Sequence, residues 1–190
     1  MKTVLLAAAA AIVLSACSTT PATSSSSAAS ASVAAGVSTA SSATVNLAAA
    51  SASLVSGKLM AMPMGDGVHL RGEIGGLAPN STHGIHIHEK GDCSAADASS
   101  AGGHFNPGAR PHGKVGAGAH HGGDMDNIVA NAEGVAAVDV HARGVTLGGG
   151  ASNDAVGRAV VVHAAADDYT SQPAGNAGAR VACGVIVVAR

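Results

Sequence analysis

The sequence predicts an all-β domain, a sandwich or barrel of short antiparallel strands. Several short runs alternate apolar and polar side chains, as strands with one buried face do. The 190-residue chain contains 26 glycines, which suits turns between strands better than it suits helices. Aromatic residues make up only 1% of the chain. We therefore expect a core of valine, isoleucine, leucine and alanine.

The start of the chain has the parts of an export signal. A basic residue, an apolar run to Leu14 and small residues before Cys17 predict a signal peptide over residues 1–16, too short to span a membrane. Residues 14–17, which end in Cys17, resemble the lipobox of bacterial lipoproteins. That resemblance implies that Cys17 is lipidated and becomes the first mature residue, and Ser18 after it favours the outer membrane. The alternative is a cleavable signal with an incidental cysteine.

A tether and one folded domain follow. Residues 17–44 are almost all serine, alanine and threonine, so we predict a flexible tether there and a domain over 45–190. Residues 64–67 predict a hairpin turn. His69 and His141 lie on the polar side of their strands, so both are predicted at the surface. The predicted strands cover residues 54–62, 68–74, 83–88, 127–130, 134–141, 156–163 and 181–188.

The clearest chemical signal is the strand over residues 83–88. Ile85 and Ile87 alternate there with His86 and His88, and residues two apart project from the same face of a strand. The two histidines therefore lie side by side, where one metal ion could bind both. His83 has the opposite parity and is excluded from the pair.

Two long segments lack any strand pattern. Residues 89–125 and 164–180 are rich in glycine and polar residues, and loops of this length in a compact domain are usually functional or disordered. Three imidazoles and a carboxylate would make a closed zinc site, and the paired strand histidines with His163 would suit Cu(II). Spacing alone leaves open which histidine serves which metal. The candidates in the first loop are His104, His112, His120, His121 and Asp124.

The other two cysteines are predicted to pair. If Cys17 carries lipid, Cys93 and Cys183 remain, and an even pair in an exported chain predicts one disulfide. The formal net charge of −2 and the lack of a basic stripe argue against a nucleic-acid partner.

Six motifs occur in an order that resembles the copper/zinc superoxide dismutases, in particular their bacterial secreted branch. The resemblance covers about residues 52–190 and implies an Ig-like Greek-key sandwich or barrel of about eight antiparallel strands with two long functional loops. The motifs occupy residues 84–93, 102–107, 111–113, 121–125, 162–164 and 175–186.

The resemblance also implies a role for each site residue. One copper per subunit would bind His86, His88, His104 and His163, and one zinc would bind His104, His112, His121 and Asp124. His104 would bridge the two metals. Asp167, with Asp168 as its rival, would link a zinc ligand to a copper ligand, and His83 would be structural. Arg180 would hold the superoxide anion, and Cys93 and Cys183 would form the family disulfide.

The implied function is dismutation of superoxide to O2 and H2O2, an antioxidant protection of the bacterial cell envelope. The lipid on Cys17 would hold the enzyme on a membrane, facing the periplasm or in the outer membrane. The alternative is a periplasmic lipoprotein that stores or delivers copper and zinc without turnover. Such a protein would need the histidines but not Arg180. The sequence leaves open whether the protein is a monomer or a homodimer.

Overall fold

The structure is a computed structural model, and it describes residues 36–188. The predicted signal peptide, Cys17 and most of the predicted tether lie outside these residues. Within residues 36–188, no helix has the length and hydrophobicity needed to cross a membrane. The strands are β1 (Ala43–Ala49), β2 (Ser56–Met64), β3 (Gly67–Gly75), β4 (Thr82–His83), β5 (Ile85–His88), β6 (Ile128–Val129), β7 (Ala136–Arg143), β8 (Ala159–His163) and β9 (Arg180–Val188).

The strands form one large antiparallel sheet and one small one. The large sheet has seven strands in the order β5-β8-β9-β1-β2-β3-β7, and β4 pairs with β6 in the second. Regular alternation puts one face of each long strand inside, for example Ala136, Val138, Val140 and Ala142 of β7. The all-β fold class predicted from the sequence is confirmed.

The core has the composition that the scarcity of aromatic residues predicted. It consists mainly of valine, isoleucine, leucine and alanine, and the first long loop contributes Phe105. Val45 and Leu59, from neighbouring strands, are almost wholly buried in it. Burial of such side chains contributes roughly 1.5–3 kcal/mol each.

Two strands differ from the sequence patterns. β1 was not among the predicted strands because it begins, at Ala43, within alanine- and threonine-rich sequence. Pairing with β2 on one side and β9 on the other fixes it as a strand. β8 begins at Ala159, three residues later than predicted, because Gly157 has a φ of +76° and interrupts the extended backbone.

The two predicted loops are irregular but firmly attached to the sheet. Between β5 and β6 the only regular element is a three-residue 3-10 helix, Ser99–Ala101. Ile87 of β5 accepts a backbone hydrogen bond from Phe105 and donates one to Gly123. The predicted disulfide is present, and it joins Cys93 to Cys183 of β9. Closing a loop with a sequence separation of 90 residues is worth about 4–5 kcal/mol in the chain-entropy model.

Candidate metal centre

Four buried histidines meet where β5, β8 and the first loop come together. His86 and His88 lie on β5, His163 ends β8, and His104 comes from the loop. One ring nitrogen from each lies within 4.8 Å of one from every other. The strand parity argument for His86 and His88 therefore agrees with the structure.

Hydrogen bonds fix which nitrogen each ring turns to this cluster. His88 donates from Nδ1 to the carbonyl of Gly102 at 2.9 Å, and His163 Nδ1 lies 3.3 Å from the carbonyl of Gly178. Their Nε2 atoms then carry lone pairs and face each other at 3.4 Å. Two acceptors cannot bond to each other, so this geometry fits a cation held between them.

A second cluster lies beside the first. His104, His112, His121 and Asp124 are all buried and bring their ligand atoms together. Oδ1 of Asp124 lies 2.9, 3.0 and 3.2 Å from Nδ1 of His104, His112 and His121. Nδ1 of His121 lies 3.5 Å from Nδ1 of His104. Atoms bound tetrahedrally to zinc at its usual bond lengths are about 3.3–3.4 Å apart, so the spacing fits such an ion.

His104 belongs to both clusters. Its Nδ1 faces Asp124, while its Nε2 is buried without a hydrogen-bond partner. Nδ1 of His86 is likewise buried without a partner. Such orphaned nitrogens are costly unless something binds them. The two orphaned nitrogens indicate that the first cluster binds an ion. The first cluster offers only nitrogen donors and the second offers nitrogens with one carboxylate oxygen, and these donors suit copper and zinc.

Asp167 joins the two clusters. Its Oδ2 accepts a hydrogen bond from Nε2 of His86 at 2.8 Å, and its Oδ1 accepts one from Nε2 of His112 at 2.9 Å. A neutral imidazole that donates from Nε2 keeps its lone pair on Nδ1, and in both rings Nδ1 is the atom that faces the clusters. A carboxylate that orients metal-binding imidazoles in this way is a recurrent feature of metal sites.

Comparison with known proteins identifies the family of the chain. A model of the family "Copper/zinc superoxide dismutase (SODC)" matches residues 55–186. The chain belongs to this family. It is 43% identical over 135 residues to superoxide dismutase (Cu-Zn) 2 of Aquifex aeolicus, an alignment that spans 70% of this chain and 79% of that protein. It is 46% identical over 125 residues to the Caulobacter vibrioides enzyme, spanning 63% and 71% of the two chains.

Solved structures agree with this membership. A superoxide dismutase-like protein from Bacillus subtilis superposes with a TM-score of 0.68 at 34% identity, covering 76% of this chain and 97% of that one. The clock protein EA4 gives a TM-score of 0.69 at 38% identity, covering 81% and 98%. The chain is a superoxide dismutase of the copper/zinc type, and the family binds both metals.

Burial keeps three imidazoles of the first cluster neutral in this superoxide dismutase. Burial, helped by neighbouring imidazoles, lowers the pKa of His88 to about 2, that of His163 to about 3 and that of His104 to about 4. These rings therefore offer lone pairs at any physiological pH.

His112 behaves differently because two carboxylates flank it. Burial alone would lower its pKa, but Asp124 on one nitrogen and Asp167 on the other raise it to about 9. The same contacts hold the pKa of both carboxyl groups well below the usual range, against the opposing effect of burial. A metal ligand has to be deprotonated, so an ion in the second cluster displaces a proton from His112.

Arg180 lies at the start of β9, opposite His163 of β8. Its guanidinium donates to the carbonyls of Ala98 at 2.7 Å and Gly102 at 2.6 Å. The carbonyl of Gly102 also accepts from His88. One backbone oxygen thus connects the arginine to the first cluster and fixes where its charge lies.

The remaining sequence candidates take structural positions. His83 is buried and donates from Nδ1 to the carbonyl of His163, which keeps it out of both clusters, as parity predicted. His120 bonds to the carbonyl of its neighbour His121 and joins neither cluster. Asp168, the rival of Asp167, accepts from Thr170 and Ser171 in an exposed turn.

Sequence reasoning missed three residues that hold the ligands. Asn127 accepts a hydrogen bond from the backbone N–H of Asp167 and donates to its carbonyl. Gln172 makes the same pair of bonds with the backbone of His112. A Cβ on Gly175 would lie 1.8 Å from Oδ1 of Asp167. Of these three residues, only Gly175 lies within a motif of the family, the one over residues 175–186.

Proposed function

We propose that this superoxide dismutase protects the bacterial cell envelope with a copper and a zinc that share His104. The observation that carries the proposal is the placement of that one ring between two clusters. Each of its nitrogens faces a separate set of ligands.

Copper belongs in the first cluster and zinc in the second. His86, His88, His104 and His163 offer nitrogen alone, which suits Cu(II). His104, His112, His121 and Asp124 offer three nitrogens and one oxygen, a common closed zinc set. Asp167 accepts hydrogen bonds from His86 and His112 and so fixes the orientation of one ring in each cluster.

The residues of the chain bind the substrate and transfer a proton to the product. Copper, once bound, supplies one-electron chemistry by alternating between Cu(II) and Cu(I), so that two superoxide ions and two protons become O2 and H2O2. Arg180 holds a fixed positive charge beside the first cluster and positions the superoxide anion. His104 can take up a proton at Nε2 whenever that atom is not a ligand, and can then pass it to the reduced product.

A store of copper and zinc would need the same histidines. It would not need Arg180, whose side chain is fixed by two carbonyls next to His88 and matches no ligand position. The position of this arginine therefore favours turnover over storage.

Changing Arg180 to Glu tests the proposal. Both metals should remain bound at one each per chain, because neither cluster includes the residue. The second-order rate with superoxide should fall by more than about tenfold, since reversing the charge replaces attraction of the anion with repulsion. Arg180→Lys should fall between the two, since it keeps the charge but loses the fork of donors.

Metal content and superoxide consumption are measured on the same purified samples. Wild-type turnover in a fully metallated Arg180→Glu variant would overturn the role of the arginine. A wild-type protein that binds both metals but does not consume superoxide would favour storage.

The location in the envelope rests on the start of the chain. An export signal over residues 1–16, a lipobox cysteine at Cys17 and a serine-rich tether are the parts of a lipoprotein. A lipid on Cys17 would hold the enzyme at a membrane facing the periplasm.

A further inference from the structure

Three potential metal-binding side chains form a row on the outward face of β2, β3 and β7. Met62 of β2 pairs with His69 of β3, and His69 pairs with His141 of β7. Directly paired residues on one face of an antiparallel sheet have Cβ atoms about 4.5–5.5 Å apart. The rings of His69 and His141 are stacked, with their centroids 6.1 Å apart.

Two more thioethers flank the row. Met60, Met62 and Met64 alternate with Ala61 and Pro63, so the three methionines project from the same face of β2. Met60 and Met64 are 49% and 48% exposed, whereas Leu59 and Ala61, on the other parity, are buried in the core. Exposed methionines contribute little to packing, so the core does not account for this stripe.

His69 is held as metal-binding histidines usually are. Nε2 of His69 contacts Oδ1 of Asp139, and Arg71 fixes the other oxygen of that carboxylate at 2.8 Å. With Nε2 donating, Nδ1 of His69 carries the lone pair. A carboxylate behind the imidazole is the usual outer partner of a metal-binding ring.

His141 adds a second imidazole. Its Nε2 is buried without a hydrogen-bond partner, and Oδ1 of Asp66 lies 3.4 Å away. Burial lowers the pKa of His141, which favours the neutral ring that a metal requires. A Cβ on Gly67 would lie 2.8 Å from that Nε2, so a larger residue at this position would displace the imidazole ring.

We propose that this outward face, formed by Met60, Met62, Met64, His69 and His141, binds a monovalent copper ion. Thioether sulfur is a soft ligand that selects Cu(I), and imidazole also suits copper. Zinc and the hard divalent cations are bound poorly by thioethers, so the methionines make the site selective. It is a second copper site, since none of its residues belongs to either cluster of the metal centre.

The test is a competition for Cu(I) with a chromophoric chelator in the absence of oxygen. The protein is the full chain, loaded with copper and zinc and carrying Cys17→Ser, so that no free thiol competes. We expect one additional Cu(I) per chain, and no additional Zn(II) at the same concentration. X-ray absorption with Ag(I), a soft ion distinct from the resident metals, should show sulfur neighbours around the added ion.

Three variants in this background locate the site. Replacing Met60, Met62 and Met64 with leucine conserves volume and should weaken Cu(I) binding by more than about tenfold by removing the soft ligands. His69→Gln should weaken it similarly. Glu73→Gln is the matched control, since it removes a negative charge from the same face of β3 but no soft ligand, and Cu(I) binding should not change.

Dismutase activity should be unchanged in all three variants, which confirms that they fold. The proposal is overturned if the metal-loaded protein binds no additional Cu(I), or if the triple leucine variant binds it as tightly as its parent. If Glu73→Gln weakened Cu(I) binding equally, attraction by charge would explain the effect, and the proposal would also be overturned. Equally tight binding of Zn(II) would contradict the selectivity for Cu(I).

Discussion

At the scale of single residues, Asp167 links the two clusters, because it accepts a hydrogen bond from one histidine of each. It makes no contact with the space inside either cluster, yet it sets the tautomer of one histidine in each. Its own position depends on Asn127, which bonds to its backbone on both sides. A ligand that turned or exchanged its proton would present N–H in place of a lone pair.

Asp167→Asn tests this role. The amide nitrogen of Asn cannot accept a hydrogen bond, so Asn can accept from only one of His86 and His112, and the other ring loses its fixed orientation. We expect zinc affinity to fall about 10- to 100-fold, the usual effect of losing such a partner. Asp168→Asn is the control, because that carboxylate bonds only within its exposed turn. Equal zinc affinity in the two variants, measured by chelator competition, would exclude the role of Asp167.

Parity along the strands predicted part of the site at this scale. Alternation placed His86 and His88 together and removed His83, and the structure agrees on each. For His69, parity gave the correct outward face, but the prediction of a surface position was wrong, since the residue is only 8% exposed. Its neighbours Asp139 and Met62 lie on adjacent strands, and sequence alone does not show which strands are adjacent.

At the scale of elements, both the loops and the strands contribute metal-site residues, and the strands fix the position of the loops. The first loop brings four of the ligand residues to a sheet that supplies the other three. The second loop carries Asp167, and Gly175 packs against it. Loop conformation depends on contacts such as those of Gln172 with His112, which have no periodic pattern. Spacing alone left His120 and His121 as alternatives, whereas the family resemblance favoured His121, and the structure places His121 in the second cluster.

Gly175→Ala tests the packing of the second loop. Gly175 has a φ of +66°, and a Cβ there would lie 1.8 Å from Oδ1 of Asp167 and 2.7 Å from Nε2 of His112. The carboxylate has to move, so we expect loss of zinc as well as of stability. Gly178→Ala is the control, since its φ is +79° but the nearest atoms to its Cβ lie 3.8 Å away.

Both alanines carry the strain of a left-handed backbone, about 1–2 kcal/mol. Thermal unfolding of the metal-free proteins measures this shared cost, and zinc titration measures the difference between them. If Gly178→Ala loses as much zinc as Gly175→Ala, backbone strain and not the contact with Asp167 would be the cause.

At the scale of the whole molecule, one sheet of seven strands carries the two long loops that form the candidate metal centre. The disulfide ties the first loop to β9, the strand that also begins with Arg180. The fold class followed from strand alternation and glycine content, since both are properties of local sequence. The strand order did not follow from them, since the pairing of β1 with β9 joins the two ends of the domain.

Cys17→Ser tests the proposed anchor. The variant should retain full dismutase activity, because the metal-binding residues all belong to the folded domain, and it should leave the membrane fraction. A single acyl group holds a protein only weakly, whereas multiple chains anchor it stably. Cell fractionation with an activity assay measures both. A variant of mature size that stays in the membrane fraction would contradict lipid anchoring through Cys17.

Electron paramagnetic resonance shows whether the ring of His104 joins the two metal ions. Cu(II) is loaded into the first cluster, with either Zn(II) or Co(II) in the second. With zinc, the full Cu(II) signal should appear, since zinc has no unpaired electrons. With cobalt, magnetic coupling through the His104 ring should remove that signal. A Cu(II) signal of full intensity in the copper–cobalt protein, with both ions shown to be bound, would contradict the bridge.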